Sequence, residues 1–323
     1  MNAMLKLFSI RGGIHPEGRK QRTASLPIEK APLPPMLYLP MRQHVGVPSE
    51  PVVTAGDHVK AGQLVGICSK DISAMMHAPT SGEVVDIGPH VAPHPSGLPG
   101  LTLSIRPDGK EECVPLLPPL DPFLSEAESI AERIAAAGIV GMGGAVFPAA
   151  EKLELRSIYD LHTLVINGAE CEPYLTTDDR LMRERAEAII DGARIIRHTL
   201  GVKTIIIAIE ANKPEALAAM AAAARDFLNL EIRPVAVRYP MGSEKHLVQA
   251  LTGLETPAGQ LPVALGVLVH NVATAHAVHE VVRFGKPLTS RIITVSGGAI
   301  RHPANLEVLI GTPIRHLVEI CGG

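Results

Sequence analysis

The sequence has no tryptophan, and aromatic residues make up only 3% of its 323 residues. A planar ligand would therefore be held mainly by backbone, aliphatic and polar groups. No apolar run reaches the roughly 18 residues that a membrane-spanning helix needs. The first ten residues also lack the long apolar core of a signal peptide. These absences predict a cytoplasmic protein with no membrane span of its own.

Cysteine and net charge are also scarce. The four cysteines, Cys68, Cys113, Cys171 and Cys321, form no C-x-x-C pair, which argues against a zinc ribbon or an iron–sulfur cluster built from this chain. We therefore predict no metal site here. The net charge of −3 gives no general attraction to nucleic acid. A hydrophobic content of 46% with 20% charged residues fits a globular protein with a substantial core.

The first part of the chain divides into an arm and a β-rich region. Residues 1–35 are dominated by glycine, proline and charge and predict an extended arm. Its apolar residues 26–28 favour a strap over a neighbouring domain or subunit rather than a solvated tail. Residues 36–114 form short β segments separated by turns, which is typical of a small barrel or sandwich.

Two segments of this β-rich region resemble the halves of biotinyl and lipoyl domains, which have a barrel-sandwich hybrid fold. They are residues 53–63 (Val-Thr-Ala-Gly-Asp-His-Val-Lys-Ala-Gly-Gln) and residues 78–82 (Ala-Pro-Thr-Ser-Gly). Such carriers bear a modifiable lysine on the hairpin between the halves. Residues 73–76 (Ser-Ala-Met-Met) have none, so we expect a structural or docking module.

The proline-rich residues 115–124 predict a linker, and residues 125–287 then alternate between apolar strands and amphipathic helices. This order predicts an α/β domain with an open, mostly parallel, Rossmann-like sheet. We expect one long helix over residues 178–200. The predicted strands are residues 163–167, 204–209, 232–237 and 265–270.

A glycine loop lies at the start of this domain, in residues 141–152. Gly141, Gly143 and Gly144 let a backbone approach a ligand closely and present N–H groups to an anion such as phosphate. Lys152 is a candidate positive charge one turn later. The spacing matches neither the Rossmann nor the Walker loop. A tight turn that packs a helix on a strand is an equally consistent interpretation.

Polar residues follow three of the predicted strands, where parallel sheets bind ligands. Amides suit ring carbonyls or ribose hydroxyls, and carboxylates accept from hydroxyl or N–H groups and disfavour the extra phosphate of NADP. Capping and turn chemistry is the alternative. We expect these residues to meet the glycine loop in one crevice. They are Asn167, Glu170 and Glu172 after the first strand, Gly242 and Glu244 after the third, and Asn271 after the fourth.

Residues 288–323 hold one predicted strand pair and a short helix. These elements are too few to close a core of their own. We therefore expect this segment to be the start of a further domain, in a chain that is a fragment of a longer protein.

The motifs together resemble the C subunit of the Rnf ion-translocating electron transport complex. The match rests on residues 141–148 (Gly-Met-Gly-Gly-Ala-Val-Phe-Pro), on residues 167–180 (from Asn-Gly-Ala-Glu to Asp-Asp-Arg) and on residues 242–245. The arm residues 12–16 and the loop 94–100, which begins at His94, fit the same family. More distantly, the chain is similar to the NADH- and FMN-binding subunit of respiratory complex I.

The resemblance implies non-covalent FMN with NAD(H) stacked on it. Gly141, Gly143, Gly144 and Lys152 would hold the flavin, and Glu172 would lie near the nicotinamide nucleotide. The cofactor would carry the hydride step without a catalytic side chain, while Lys152 stabilises the reduced flavin. Further flavin- or nucleotide-binding positions would be Asn167, Glu170, Gly242, Glu244 and Asn271.

The chain departs from the complex I pattern within the glycine loop. Met142 stands where the complex I loop has arginine, and Val146 stands where it has glycine. A valine does not readily adopt a positive φ. Ala169 replaces an aspartate of the complex I pattern.

The resemblance also implies a β-grasp, soluble-ligand-binding domain beginning near residue 288. Two [4Fe–4S] clusters would follow in a C-terminal domain absent from this chain. The implied function is electron transfer between NAD(H) and those clusters, as part of a ferredoxin:NAD oxidoreductase. The protein would lie on the cytoplasmic face of the membrane with the other subunits. Two alternatives are an FMN-dependent NADH dehydrogenase module of another assembly, such as a corrinoid reductase, and a flavin-free docking scaffold.

Overall fold

The computed structural model describes residues 7–68, 72–92 and 96–323, so His94 of the expected loop lies outside the described residues. The first β-rich part packs two antiparallel sheets, in the orders β2-β8-β7-β4 and β3-β5-β6, around a core that includes Leu37, Leu103 and Ile105. The strands of this part and of the arm are β1 (Ile28–Lys30), β2 (Leu37–Pro40), β3 (Glu50–Pro51), β4 (His58–Val59), β5 (Leu64–Ile67), β6 (Met76–His77), β7 (Gly82–Val91) and β8 (Pro99–Pro107).

The central part of the chain is the predicted α/β arrangement. Its four strands are all parallel, in the order β11-β10-β9-β12. Two short 3₁₀ helices, Leu155–Ser157 and Pro262–Leu265, accompany them. The other elements are α1 (Ala127–Ala136), α2 (Ala149–Glu154), β9 (Thr163–Gly168), α3 (Thr177–Glu184), α4 (Ala186–Leu200), β10 (Thr204–Glu210), α5 (Pro214–Ala224), β11 (Leu230–Val235), α6 (Glu244–Thr252), β12 (Val267–Asn271) and α7 (Val272–Phe284).

The parallel sheet is covered on both faces. In β10, Ile205 and Ile207 belong to one buried cluster, while Ile206 and Ala208 belong to the cluster on the opposite face. Burial on both faces explains why this strand is a continuous apolar run. The chain extends the sheet from β9 in one direction through β10 and later in the other through β12. Ligands of open α/β sheets bind at such a reversal of strand order.

The single long helix predicted over residues 178–200 is wrong, because the helix breaks at Arg185. That residue has φ −132° and ψ 31°, so α3 ends at Glu184 and α4 begins at Ala186. Beside the break, the Glu184 carboxylate accepts a hydrogen bond from the backbone N–H of Ile28 in the arm, at 3.1 Å. The helix does end at Leu200 as expected, with Gly201 in the left-handed region at φ 69°.

The last part of the chain completes a small sheet with a strand from the arm. It contains β13 (Ser290–Val295), β14 (Ala304–Leu309) and α8 (Ile314–Ile320). Strand β1 pairs parallel with β14, which gives the order β1-β14-β13. The buried cluster here includes Leu306 and Leu317. The predicted strand pair therefore gains its third strand from residues almost 280 positions earlier.

The arm is a strap, as the sequence favours. Phe8 bridges to Val235 at the edge strand β11, and Ile14 exchanges backbone hydrogen bonds with Tyr239 at 2.9 Å in both directions. The arm then passes the ends of the parallel strands and joins the last sheet as β1. Within the described ranges, no helix is both long and apolar enough to cross a bilayer.

Close packing of α4 on α7 generates a test of the fold. A Cβ added to Gly192 would lie 1.8 Å from the carbonyl oxygen of Ala275. Helix propensity alone would make Gly192→Ala stabilising by about 1 kcal/mol. We expect it instead to lower the free energy of unfolding by about 2–3 kcal/mol, because two backbones must separate. Urea denaturation measures the change.

The control for this substitution is Ala218→Gly, on the exposed side of α5. It should lose about 1 kcal/mol through propensity alone. A Gly192→Ala protein as stable as the unmodified chain would show that α4 and α7 do not approach as closely as the structure has them.

Candidate functional site

A cavity of about 950 Å³ opens where the carboxyl ends of β9 and β12 face the barrel and strand β13. The strand ends meet the glycine loop around this cavity, although Glu244, one of the residues expected there, does not line it. Seven of the ten residues predicted from the sequence line this cavity, while Gly141, Lys152 and Glu244 are not among its lining residues. The seven are Gly143, Gly144, Asn167, Glu170, Glu172, Gly242 and Asn271.

Hydrogen bonds join the two ends of the glycine loop, and another connects its start to α7. Gly141 N–H donates to the Phe147 carbonyl at 2.8 Å, and Val140 bridges Pro148. The backbone N–H of Met142 donates to Thr274 Oγ1 of α7 at 3.0 Å. Val146 has φ 49°, so the valine does take the positive φ that its side chain disfavours.

Two glycines at the cavity lie in close contact with neighbouring residues. A Cβ on Gly143 would meet the Cβ of Asn271 at 3.2 Å, and a Cβ on Gly242 would meet the Ala169 carbonyl oxygen at 2.5 Å. A side chain at Gly242 is therefore excluded by backbone. Gly143 thus brings the loop against the end of β12, and Gly242 brings the residues before α6 against the end of β9.

The two amides predicted at the strand ends hold the site together. Asn167 Nδ2 donates to the Gly242 carbonyl at 2.8 Å, and its Oδ1 accepts from Ala169 N–H at 3.0 Å. Asn271 caps α7, with Oδ1 accepting from Ala273 N–H at 2.8 Å. Asn271 thus caps a helix and Asn167 makes a local turn bond, as the alternative of capping and turn chemistry expects, and both also line the cavity.

Glu170 is buried in a cluster of charged groups beneath the cavity. Its Oε1 accepts from Asp178 N–H at 2.8 Å, and its Oε2 lies 3.5 Å from the Lys20 ammonium and 3.6 Å from that of Lys213. Lys213 also pairs with Glu210 at 2.6 Å. Burial lowers the pKa of Lys213, but Glu170 and Glu210 outweigh that effect and raise it overall. Glu170 therefore holds Lys20, Lys213 and the start of α3 together next to the cavity.

Asp178 is a cavity-lining residue that the sequence analysis did not select. Its Oδ2 accepts from Asn271 Nδ2 at 2.7 Å. Burial and the nearby Glu170 carboxylate raise the pKa of Asp178 to about 7, against the opposing effects of Asn271, Lys213 and Arg291. Asp178 lies within the strand-end peptide of β9, residues 167–180. That position was the signal by which it could have been found.

Lys152 and Glu244 pair with each other. The Lys152 ammonium lies 2.7 Å from Glu244 Oε1 and also donates to the Val269 carbonyl at 2.9 Å. The positive charge expected for the loop is therefore already matched by a carboxylate. Glu172 is exposed and lies at the rim of the cavity.

Arg291 is a second lining residue that sequence reasoning missed. It lies on β13, and its guanidinium donates to the carbonyl of Met142 at 3.0 Å. No local signal pointed to it, because it comes from a different sheet from the strand-end residues. Among the described residues, no group of three or more histidine, cysteine or acidic side chains is arranged to hold a metal ion.

Family models match three successive parts of the chain. Residues 8–110 match the RnfC barrel sandwich hybrid domain, residues 134–280 match the Nuo51 FMN-binding domain, and residues 292–323 match the SLBB domain. The glycine loop and all three strand ends thus lie within the FMN-binding match.

Curated relatives match nearly the whole chain. The C subunit of the ion-translocating oxidoreductase complex of Rhodobacter capsulatus is 57% identical over 99% of this chain, and that of Pseudomonas aeruginosa is 45% identical over 99%. The C subunit of the proton-translocating ferredoxin:NAD(+) oxidoreductase complex of Clostridium ljungdahlii is 44% identical over 99% of the chain. The chain spans 62%, 41% and 69% of these proteins, respectively.

A solved structure shares the fold of the larger part of the chain. The NAD⁺-reducing [NiFe]-hydrogenase in its air-oxidized state aligns with a TM-score of 0.53 at 24% identity, over 61% of this chain and 39% of the matched chain.

The buried charges beneath the cavity generate a stability prediction. Lys213→Met leaves Glu170 and Glu210 without their buried ammonium partner, and breaking such a pair costs about 3–5 kcal/mol. The matched control, Lys203→Met, removes an exposed lysine and should change the free energy of unfolding by less than about 0.5 kcal/mol. Urea denaturation at neutral pH measures both free energies of unfolding. The same small decrease in both variants would contradict the role of Lys213.

The raised pKa of Asp178 predicts a pH dependence. Between its ordinary pKa of 3.8 and about 7, the native state holds a proton that the unfolded chain has released. Stability therefore falls as pH rises through this window. Asp178→Asn keeps an acceptor for Asn271 and removes the titration. We expect its stability relative to the unmodified chain to be greater at pH 8 than at pH 4.5.

Chemical denaturation of both proteins at the two pH values measures this difference. Equal differences in stability at pH 4.5 and pH 8 would show that the pKa of Asp178 is not raised.

Proposed function

The chain belongs to the RnfC family, the C subunits of ion-translocating oxidoreductase complexes, and on that premise we propose that it is an FMN-binding electron-transfer subunit. It exchanges electrons with NAD(H) on one side and with iron–sulfur clusters on the other. In the assembled complex this exchange accompanies ion translocation by partner subunits. The overall reaction is that of a ferredoxin:NAD oxidoreductase.

The observation that carries this proposal is the meeting of the glycine loop with three polar strand ends around one cavity. Ligand cavities range over about 300–1,000 Å³, and this one, at about 950 Å³, has room for a flavin nucleotide together with part of a second nucleotide. Gly143 and Gly144 leave the loop side open, since a Cβ on Gly144 would meet nothing within 4 Å. The residues present therefore fit FMN.

The protein's own groups would bind and orient this cofactor. The backbone N–H groups of Gly143 and Gly144 suit anionic or carbonyl oxygens, while Asn167 and Asn271 present polar edges already fixed by their hydrogen bonds. The N–H of Gly141 is already used within the loop, where it donates to the Phe147 carbonyl. Gly242 leaves space, and Glu170 holds the strand ends in place through Lys20 and Lys213. When bound, FMN would supply the chemistry that links two-electron hydride transfer with NAD(H) to single-electron transfer.

Carboxylates set the preference for the second nucleotide. Glu172 is exposed at the rim, where it would accept from ribose hydroxyls and repel the additional phosphate of NADP. Glu244 is already paired with Lys152, and we assign this ion pair an electrostatic role behind the flavin site. NADH is therefore the expected electron donor or product.

At the level of the assembly, we propose a peripheral position on the cytoplasmic face of the membrane beside the other subunits. We assign no residue of these 323 to the two [4Fe–4S] clusters, since the four cysteines form no C-x-x-C pair. We also propose that the parallel sheet is of Rossmann type. The elements β1, β13, β14 and α8 would begin a β-grasp domain. The boundaries between the arm, barrel, linker, flavin domain and last segment would lie near residues 35, 114, 124 and 287.

Reconstitution with FMN tests the proposal. The purified chain, mixed with excess FMN and passed through a desalting column, should retain about one flavin per chain with a shifted visible absorbance spectrum. It should then reduce ferricyanide with NADH faster than with NADPH. Gly143→Val should weaken FMN binding by at least about tenfold, because its side chain enters the cavity beside Asn271.

Gly298→Val is the matched control, since a Cβ there meets nothing within 4 Å and the residue does not line the cavity. Its FMN affinity should equal that of the unmodified chain. Thermal unfolding of both variants without flavin separates lost binding from lost folding. A folded chain that retains no FMN would refute the proposed function and leave the flavin-free scaffold.

A further inference from the structure

The cations that line the cavity differ in their partners. Three of the four are already paired with carboxylates of the chain, and Arg291 is the exception. Among the described residues, no carboxylate oxygen lies within 4.0 Å of its guanidinium. The three pairs are Lys30 with Glu111 at 3.6 Å, Arg185 with Glu307 at 3.7 Å and Lys286 with Glu280 at 2.6 Å.

Arg291 is held in place without being neutralised. Its guanidinium donates to the Met142 carbonyl, at 3.0 Å, which is a neutral acceptor at the start of the glycine loop. Burial lowers the pKa of Arg291, but a guanidinium stays charged at neutral pH. A half-buried cation without an anionic partner is costly, so its surroundings suit a ligand that carries negative charge.

The other charged groups near the loop do not balance this cation. Lys152 is matched by Glu244 and does not line the cavity. Asp178 faces Arg291, but burial and Glu170 raise the pKa of Asp178 to about 7, so it is only partly ionised at neutral pH. The positive charge at the loop therefore belongs mainly to Arg291.

We propose that Arg291 recognises the phosphate of the flavin nucleotide and so makes the site selective for FMN over riboflavin. A guanidinium offers several N–H donors in a planar fork that matches phosphate oxygens. One of these donors holds the loop through Met142, and the others remain for the ligand. This inference rests on the proposed flavin function and names one residue that determines its specificity.

In this assignment, residues from two different sheets form the nucleotide site. Arg291 lies on β13, outside the 134–280 segment that matches the FMN-binding model. Strand β13 pairs with β14, which in turn pairs with β1 of the arm. The phosphate-recognising charge is thus in place only when the last sheet is docked on the α/β part.

Flavin affinity with and without the phosphate tests this assignment. FMN and riboflavin are each titrated into the unmodified chain, Arg291→Gln and Lys286→Gln, with flavin fluorescence quenching as the measurement. Loss of a charge-assisted contact weakens binding by about tenfold or more. We expect Arg291→Gln to bind FMN about tenfold or more weakly than the unmodified chain does. Its affinity for riboflavin, which lacks the phosphate, should fall by less than about twofold. Lys286→Gln, which removes a paired lining cation, should change neither affinity.

Each alternative result separates this proposal from the proposed function. Equal weakening of FMN and riboflavin would show that Arg291 only positions the loop, and would overturn phosphate recognition. Equal affinity of the unmodified chain for both ligands would overturn it and leave a flavin site. Binding of neither ligand would refute the flavin function itself. Arg291→Lys, which keeps the charge without the fork, should bind FMN with intermediate affinity, and it serves if Arg291→Gln does not fold.

Discussion

The buried carboxylate of Glu170 is the group on which the arrangement of the site depends. It lies at the end of β9 and meets Lys20 from the arm, Lys213 at the start of α5 and the backbone N–H of Asp178 in the first turn of α3. An isolated buried charge is far less favourable than a paired one. Three segments that are distant in sequence must therefore meet at this point, and the cavity lies directly above it.

A second buried network extends the same constraint to the last sheet. Asn305 of β14 accepts from Thr176 Oγ1 at 2.7 Å and donates to the Thr23 carbonyl at 2.9 Å. Thr176 Oγ1 also lies 2.9 Å from Thr23 Oγ1. The arm, the start of α3 and β14 thus share fully buried hydrogen bonds, and unmade bonds there would be costly. Together the two networks fix β13, and with it Arg291, against the glycine loop.

Local patterns in the sequence account for most of the parallel sheet but not for the way its ends are covered. The apolar runs in β9, β10 and β12 indicated their strands because both faces are buried, and the amides after them, Asn167 and Asn271, followed from the strand-end rule. The break at Arg185 had no such signal, since the residues around it favour a continuous helix. The break lies beside the contact between Glu184 and the arm, a tertiary contact that local propensity does not report.

The two candidate cations of the site, Lys152 and Arg291, differ in how their charges are paired. Lys152 was found because it lies in the glycine motif, yet its charge is used within the protein by Glu244. Arg291 was missed because its partner in the loop, Met142, is 149 residues away in sequence, yet it lies against the loop without a carboxylate partner among the described residues. A motif identifies which residues are near a ligand, whereas the pairing of charges determines which of them are available to it. Only folding sets that pairing, so the selectivity of the cavity is a property of the docked sheets and not of the loop alone.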